Sequence, residues 1–282
     1  MSTIQETEVL REWRDSAHFW EKHAQTIRLM FAPVTRALIE DAHIRQGYKV
    51  LDVAGGPGEP SLTIAELVGP SGMVTCTDAI PAMVAAAENE GKRRGLTNVE
   101  FRHCTADSLP FDDDQFDAAV SRLGVMFFPD PIAGLREMLR VTKRGGVVSL
   151  VVWDKSDLNP FSYIVTNVMA RYFKTSAATL GASDAFKFAE PGTLAAALRG
   201  AGADSVKERV LRFHIEAPIS LAGFWALRSE TSGTLREKLN MLSDEEKEQA
   251  AQEVQEAARE FFPNNEMRFP TQMIIVTGNK PN

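Results

Sequence analysis

Cysteine is scarce in this chain: Cys76 and Cys104 are the only two among 282 residues. That is too few for a disulfide framework or a zinc site. Both stand in stretches that read as buried strands, so reduced core thiols are expected. Positive charge is also short, with 31 Lys and Arg against 38 Asp and Glu and a formal net charge of −7. This balance argues against a passive electrostatic grip on nucleic acid or an anionic membrane. No apolar run approaches the roughly 20 residues of a membrane helix. The longest, GVVSLVVW at 146–153, falls far short. The opening MSTIQETEVLREWRD is charged and lacks the apolar region of a secretory signal, so a cytoplasmic location is expected. No internal repeat or low-complexity segment interrupts the chain.

Hydrophobic residues make up 44% and charged residues 24% of the sequence, which suits a globule with a sizeable core. The length allows one large α/β domain or two small ones. From about 49 to 153, short apolar runs alternate with helical ones. KVLDVA (49–54) precedes a helix near 60–68, and MVTCTD (73–78) a helix near 81–94. NVEFRHC (98–104), FDAAVS (116–121), a helix near 131–140 and GVVSLVVW follow. Apolar strands separated by helices predict a parallel sheet covered on both faces. Asp130–Pro131 reads as an N-cap with proline at N1, and Gly145–Gly146 as the stop of that helix.

The flanks differ. Residues 8–46 predict two amphipathic helices carrying Trp13, Phe19, Trp20, Leu29 and Phe31. Beyond 153, helices are expected near 161–174 and 190–202, and closing strands at 205–216 and 268–278. A helical insertion at about 219–262 separates those strands, and its last helix opens on the capping-box pattern Ser243-x-x-Glu246. The division expected is an N-terminal helical cap at 1–48 and a main domain at 49–282.

The stretch VLDVAGGPGEP at 50–60 runs a strand into a turn holding three glycines. A triphosphate-binding loop needs a lysine after its glycines, and none occurs from 50 to 91. A dinucleotide fingerprint needs Gly-x-Gly-x-x-Gly, and Ser61 occupies the third glycine position. Asp52, just before the turn, would repel a pyrophosphate and attract an ammonium or sulfonium. Asp78 ends the second strand, where an acid can accept from both ribose hydroxyls; that place suits NAD as well. Asp107 in CTADSLPF (104–111) follows the third strand and can accept from an adenine amino group.

Asp52 with AGGPG, Asp78, and ADSLPFDDDQFD before the fourth strand resemble, in that order, the class I SAM-dependent methyltransferases. Within these the chain is similar to the ubiquinone/menaquinone-biosynthesis-like small-molecule enzymes. The resemblance implies a Rossmann-like, doubly wound α/β fold. Its seven-stranded sheet would be mostly parallel with the last strand antiparallel, and would carry N-terminal helical and lid additions. It implies S-adenosyl-L-methionine across the strand ends. Contacts would come from Asp52, Gly55, Gly56, Gly58, Asp78, Ala79, Met83, Ala106, Asp107, Ser108, Ser121 and Arg122. For Arg122 a surface charge or carboxylate clamp is an equal reading.

Methyl transfer is an in-line displacement whose carbon the sulfonium already activates. Positioning can supply on the order of 7–11 kcal/mol of the acceleration. A base is needed only for a protonated acceptor, and none of His18, His23, His103, His214 or Tyr163 is singled out as catalytic. DDDQFD (112–117) reads as a solvated turn, so no metal is expected. SRLGVMFF after the fourth strand lacks the Asp/Asn-Pro-Pro-aromatic motif of nucleic-acid amino methyltransferases, and Asn159-Pro160-Phe161 reads as a turn. A small, partly apolar acceptor is expected, with no nucleic-acid or membrane partner and a possible homodimer. An NAD-dependent oxidoreductase and a non-catalytic SAM-binding module are the alternatives.

Overall fold

The computed structural model describes residues 8–173 and 183–282. The first seven residues of the charged N-terminal stretch, and part of the segment after the helix near 161–174, lie outside them. The described residues divide into two compact units. The sheet unit comprises Phe31–Lys155, Asp184–Leu211 and Gln272–Asn282. The helical unit is drawn from Met1–Met30, Ser156–Ser183 and Arg212–Thr271.

The sheet unit opens with α3 (Ala32–Asp41) and continues through β1 (Lys49–Val53), α4 (Ser61–Val68), β2 (Met73–Asp78) and α5 (Pro81–Arg93). Next come β3 (Val99–His103), β4 (Phe116–Arg122), α6 (Pro131–Val141), β5 (Thr142–Trp153) and α8 (Thr193–Ala201). The long strands β6 (Asp204–Ala217) and β7 (Met267–Asn279) hold the boundary between the units within their length.

Strand order is β3-β2-β1-β4-β5-β7-β6. β1 pairs in parallel with β2 and β4, β2 with β3, and β4 with β5, while β7 runs antiparallel to β5. This is the doubly wound α/β arrangement the resemblance implies. Consecutive residues of β1 from Val50 to Val53 are all buried. Because side chains alternate across a strand, both faces of the sheet are covered there. β3 is the exception: it is an edge strand with exposed side chains. Cys104 therefore sits just past a thinly covered strand and is only half-buried, whereas Cys76 in β2 is buried; both are free thiols.

Local chemistry accounts for the helix starts. Asp130 Oδ1 accepts the Ala133 amide at 3.0 Å, with Pro131 opening α6. Gly145–Gly146 do not stop that helix. α6 ends at Val141 and the glycines lie inside β5, where the register against β4 shifts between Phe116 and Ala118. They absorb a bulge: Gly145 takes φ +72°, and its amide reaches the Lys280 carbonyl at 2.9 Å.

In the helical unit, α1 (Glu8–Lys22) and α2 (Ala24–Met30) precede α7 (Pro160–Tyr172), α9 (Leu221–Thr231), α10 (Gly233–Asn240) and α11 (Asp244–Ala258). Residues 8–46 thus form three helices rather than two: the chain breaks at His23 and again at Phe31, where Pro33 begins a new first turn. Asn159-Pro160 is the entry to α7, not an isolated turn. The capping box at Ser243 is present. Phe224 is fully buried among Phe161, Phe262 and Phe269, with ring centroids 5.7, 5.9 and 5.0 Å away, so it is core. Trp20 donates its indole N–H to the Thr231 carbonyl at 3.1 Å.

Candidate functional site

The order of strands reverses about β1, which has β2 on one side and β4 on the other. Ligands of open α/β sheets bind beyond the carboxyl ends of strands at such a switch point. Asp52, Asp78, Ser121 and Arg122 all stand at or beside those ends.

Asp52 is completely buried. Its Oδ2 accepts from the Ser61 hydroxyl at 2.6 Å and the Ser61 amide at 3.1 Å, so it closes the N-terminal end of α4. Its Oδ1 is buried with no partner among the described residues. Burial pushes the carboxyl up to about 7 against the opposing pull of Ser61 and of the Arg122 charge. Ser61, in the sequence merely a missing glycine, is thus the residue that holds one half of Asp52. The Ser121 hydroxyl, also fully buried, has no partner among them either. Two orphaned polar atoms at adjacent strand ends are a costly arrangement unless a ligand completes them.

Asp78 is fixed from both sides. Oδ2 accepts the Gly56 amide and Oδ1 the Ile80 amide, each at 2.9 Å. Burial raises its carboxyl to about 6, with those amides pulling the other way. Each oxygen keeps a further lone pair, so the ribose role read from the sequence stays chemically open.

The turn between β1 and α4 packs tightly on one side and is open on the other. A Cβ on Gly55 would stand 2.7 Å from Cys76 Sγ and 2.9 Å from Asp52 Oδ2. Gly58, at φ +112°, would meet Leu62 Cδ1 at 2.8 Å. Gly56, at φ +55°, has nothing within 4 Å of that position. The open point of the turn is therefore Gly56. The turn closes on Pro60 through a cis peptide.

Arg122 is not a surface charge. Nη1 donates to Thr35 Oγ1 at 2.9 Å and Nη2 to the Glu59 carbonyl at 3.0 Å, and its guanidinium lies 5.6 Å from the Phe31 ring centroid. It therefore ties α3 to the glycine turn while lending positive charge to Asp52. The partners Thr35 and Glu59 carried no signal in the sequence, because each lies far from Arg122 along the chain.

Of the other expected contacts, Met83 is buried in α5, while Ala79 and Ala106 are half-buried. Asp107 and Ser108 are exposed, and Leu109 beneath them joins the core. His103 is exposed with Nε2 3.1 Å from the Ala79 carbonyl. In the helical unit, His23 Nε2 lies 2.7 Å from Glu230 Oε2, and His214 Nδ1 lies 3.2 Å from Arg268. None of these contacts marks a base. Burial pushes the Cys76 thiol well up and the Cys104 thiol to about 11, so neither is a nucleophile at neutral pH. Among the described residues, no group of three or more His, Cys, Asp or Glu is placed to hold a metal, and no helix is long and apolar enough to cross a membrane.

Comparison with known proteins matches this arrangement. The YcgJ protein of Bacillus subtilis superposes with a TM-score of 0.56 at 21% identity, covering 88% of this chain and 98% of that one, which establishes the shared fold. The ubiquinone/menaquinone biosynthesis C-methyltransferase UbiE of Pasteurella multocida is 35% identical over 130 residues, 46% of this chain and 48% of that protein. The demethylmenaquinone methyltransferase of Geobacillus stearothermophilus is 40% identical over 105 residues, 37% of this chain and 45% of its own length. The chain thus spans about half the length of the curated relatives it matches. The pattern of the ubiE/COQ5 methyltransferase family runs through residues 33–217, from α3 across the strand-end acids into β6, and the chain belongs to that family.

Proposed function

We propose that this chain transfers a methyl group from S-adenosyl-L-methionine to a small, partly apolar molecule by in-line displacement. The observation that carries this reading is Asp52 Oδ1, buried near the end of β1 just before the glycine turn and without a partner among the described residues. A buried carboxylate with a free oxygen is completed by a cation, and S-adenosylmethionine brings an ammonium and a sulfonium. When bound, it supplies a methyl carbon that the sulfonium has already activated.

The residues that would hold it are Asp52, Gly55, Gly56 and Gly58 of the turn, Asp78, Ala79 and Met83 after β2, Ala106, Asp107 and Ser108 after β3, and Ser121 and Arg122 at β4. Asp52 orients the charged end, Asp78 accepts from the ribose, and Arg122 keeps the turn in place through Glu59. Arg122 also keeps Asp52 more ionised than burial alone would allow. Two relatives are named for ubiquinone, menaquinone or demethylmenaquinone chemistry, which supports an acceptor of the same small, apolar kind. Cytoplasmic residence and homodimerisation belong to the same proposal; sedimentation of the purified chain checks the second.

Calorimetric titration with S-adenosylhomocysteine, alongside NAD, tests the reading. Micromolar binding of the first and none of the second is expected, followed by acceptor-dependent release of S-adenosylhomocysteine. Failure of the wild-type chain to bind S-adenosylmethionine or its product overturns the reading.

A further inference from the structure

Arg228, on α9 of the helical unit, has no ion-pair partner among the described residues. Its Nε is buried and has no hydrogen-bond partner among them. Burial alone moves its ionisation, down to about 10, with no neighbouring charge contributing, so the group stays positive at neutral pH. Its contact is a ring face: the guanidinium carbon lies 4.7 Å from the Phe161 centroid. Phe224, one turn back on the same helix, is fully buried against Phe161, Phe262 and Phe269.

A guanidinium that serves the fold takes oxygen partners, as others in this chain do. Arg94 pairs with Glu59 and Glu90, Arg140 with Glu137 and Asp113, and Arg122 with Thr35 and Glu59. Arg228 instead sets its charge against the Phe161 ring with Nε buried and unpaired among the described residues, which costs stability in the free protein. A ring covers the face of the guanidinium plane and does not satisfy the Nε–H, which lies in that plane. The edge formed by Nε–H and Nη–H matches the two oxygens of a carboxylate. One guanidinium balances one negative charge, so a dianion would bring a second, unmatched charge into apolar surroundings.

We propose that Arg228 anchors a binding site in the helical unit for an organic monocarboxylate whose apolar or aromatic body packs beside the phenylalanine cluster. The site is separate in kind from the strand-end acids, which select a cation.

The full chain is titrated with 4-phenylbutyrate and with its neutral isostere 4-phenylbutyramide, by calorimetry and ligand-observed NMR. Saturable carboxylate binding is expected, at least tenfold tighter than that of the amide. Arg228→Met should weaken it at least tenfold without lowering the Tm of the ligand-free protein, since it removes an unpaired buried charge. Arg228→Lys, which keeps the charge and loses the fork, should also weaken it. Equal binding of acid and amide, absence of saturable carboxylate binding, or unchanged binding by the variants overturns the proposal. A Tm that falls in Arg228→Met would assign the residue to the fold and overturn it too. S-adenosylhomocysteine is titrated into the same samples, so a failure of the methyl-transfer reading registers there and leaves the carboxylate result standing.

Discussion

Asp78 Oδ2 accepts the amide hydrogen of Gly56 at 2.9 Å, across the gap between the end of β2 and the glycine turn that follows β1. The acid read from the sequence as a ribose partner is therefore also the anchor of the turn's open point. Its other oxygen takes the Ile80 amide and so steadies the entry to α5. One carboxylate fixes both walls of the crevice before any ligand arrives, the preorganisation that a binding site requires.

Removing that anchor should be felt without ligand. Asp78→Ala leaves the amides of Gly56 and Ile80 unpaired, at a cost of about 1–3 kcal/mol for each that stays buried. Asp78→Asn keeps one good acceptor and should fall between the variant and wild type. Thermal melts of the ligand-free proteins should rank wild type, Asn, Ala, and titration with S-adenosylhomocysteine should rank them the same way. An unchanged melt for Asp78→Ala would remove the anchoring role and leave ribose contact as the sole function of the residue.

What was legible in the sequence was local. Asp130–Pro131 and Ser243-x-x-Glu246 announce helix starts because the capping partners lie within one turn. The apolar runs announce buried strands because burial on both faces leaves no room for polar alternation. The strand-end acids were legible as positions, but their partners were not. Gly56 is 22 residues from Asp78 and Thr35 is 87 from Arg122, and no local pattern records such pairings. Gly145–Gly146 misled for a related reason. Two glycines after a helix fit a stop signal, yet here they accommodate a bulge of β5 against β4, a strand more than 20 residues away in the chain. Arg228 carries no signal in the sequence, because whether a partner is missing is a tertiary fact.

The buried acids make stability depend on pH in an unusual direction. Asp52 and Asp78 titrate near 7 and 6 in the folded chain, against 3.8 for the ordinary side chain, with burial the main cause in both. Between pH 4 and 7 the folded protein holds protons that the unfolded chain has released. The contribution of these groups is therefore full below pH 4 and is lost as pH rises through 6 and 7. For Asp52 the loss is a few kcal/mol at most, taking about 1.4 kcal/mol for each pH unit. Urea unfolding of wild type and Asp52→Asn at pH 5 and pH 8 isolates it: the gap in favour of the variant should widen at pH 8. A gap independent of pH would mean that Asp52 is ionised throughout.

Ligand affinity should run the other way. A cationic ligand is favoured by ionised Asp52, so binding of S-adenosylmethionine should weaken by up to about tenfold for each unit below pH 7. Arg122 is the charge that pulls the Asp52 carboxyl down against burial. Arg122→Met should accordingly move the midpoint of the pH profile upward, and should loosen the turn by releasing the Glu59 carbonyl. Calorimetric affinities from pH 5.5 to 9 would decide it. A midpoint that stays in place in Arg122→Met would separate Arg122 from the ionisation of Asp52.

The glycine turn allows the fold and the site to be probed separately. A methyl group on Gly55 would stand 2.7 Å from Cys76 Sγ and 2.9 Å from Asp52 Oδ2, both held in the packed interior. Gly55→Ala should thus destabilise by about 1–3 kcal/mol through overpacking, whatever the ligand. At Gly56 a methyl group meets nothing within 4 Å, and the penalty is the left-handed backbone at φ +55°. That strain costs about 1–2 kcal/mol, while the added group occupies the open point of the turn. Gly56→Ala should therefore melt closer to wild type than Gly55→Ala does, yet lose more of its affinity for S-adenosylhomocysteine than its stability change explains. Parallel melts and titrations on the two variants test this crossing of effects. If Gly56→Ala bound the ligand as wild type does, the cofactor would have to approach the sheet elsewhere than over Gly56.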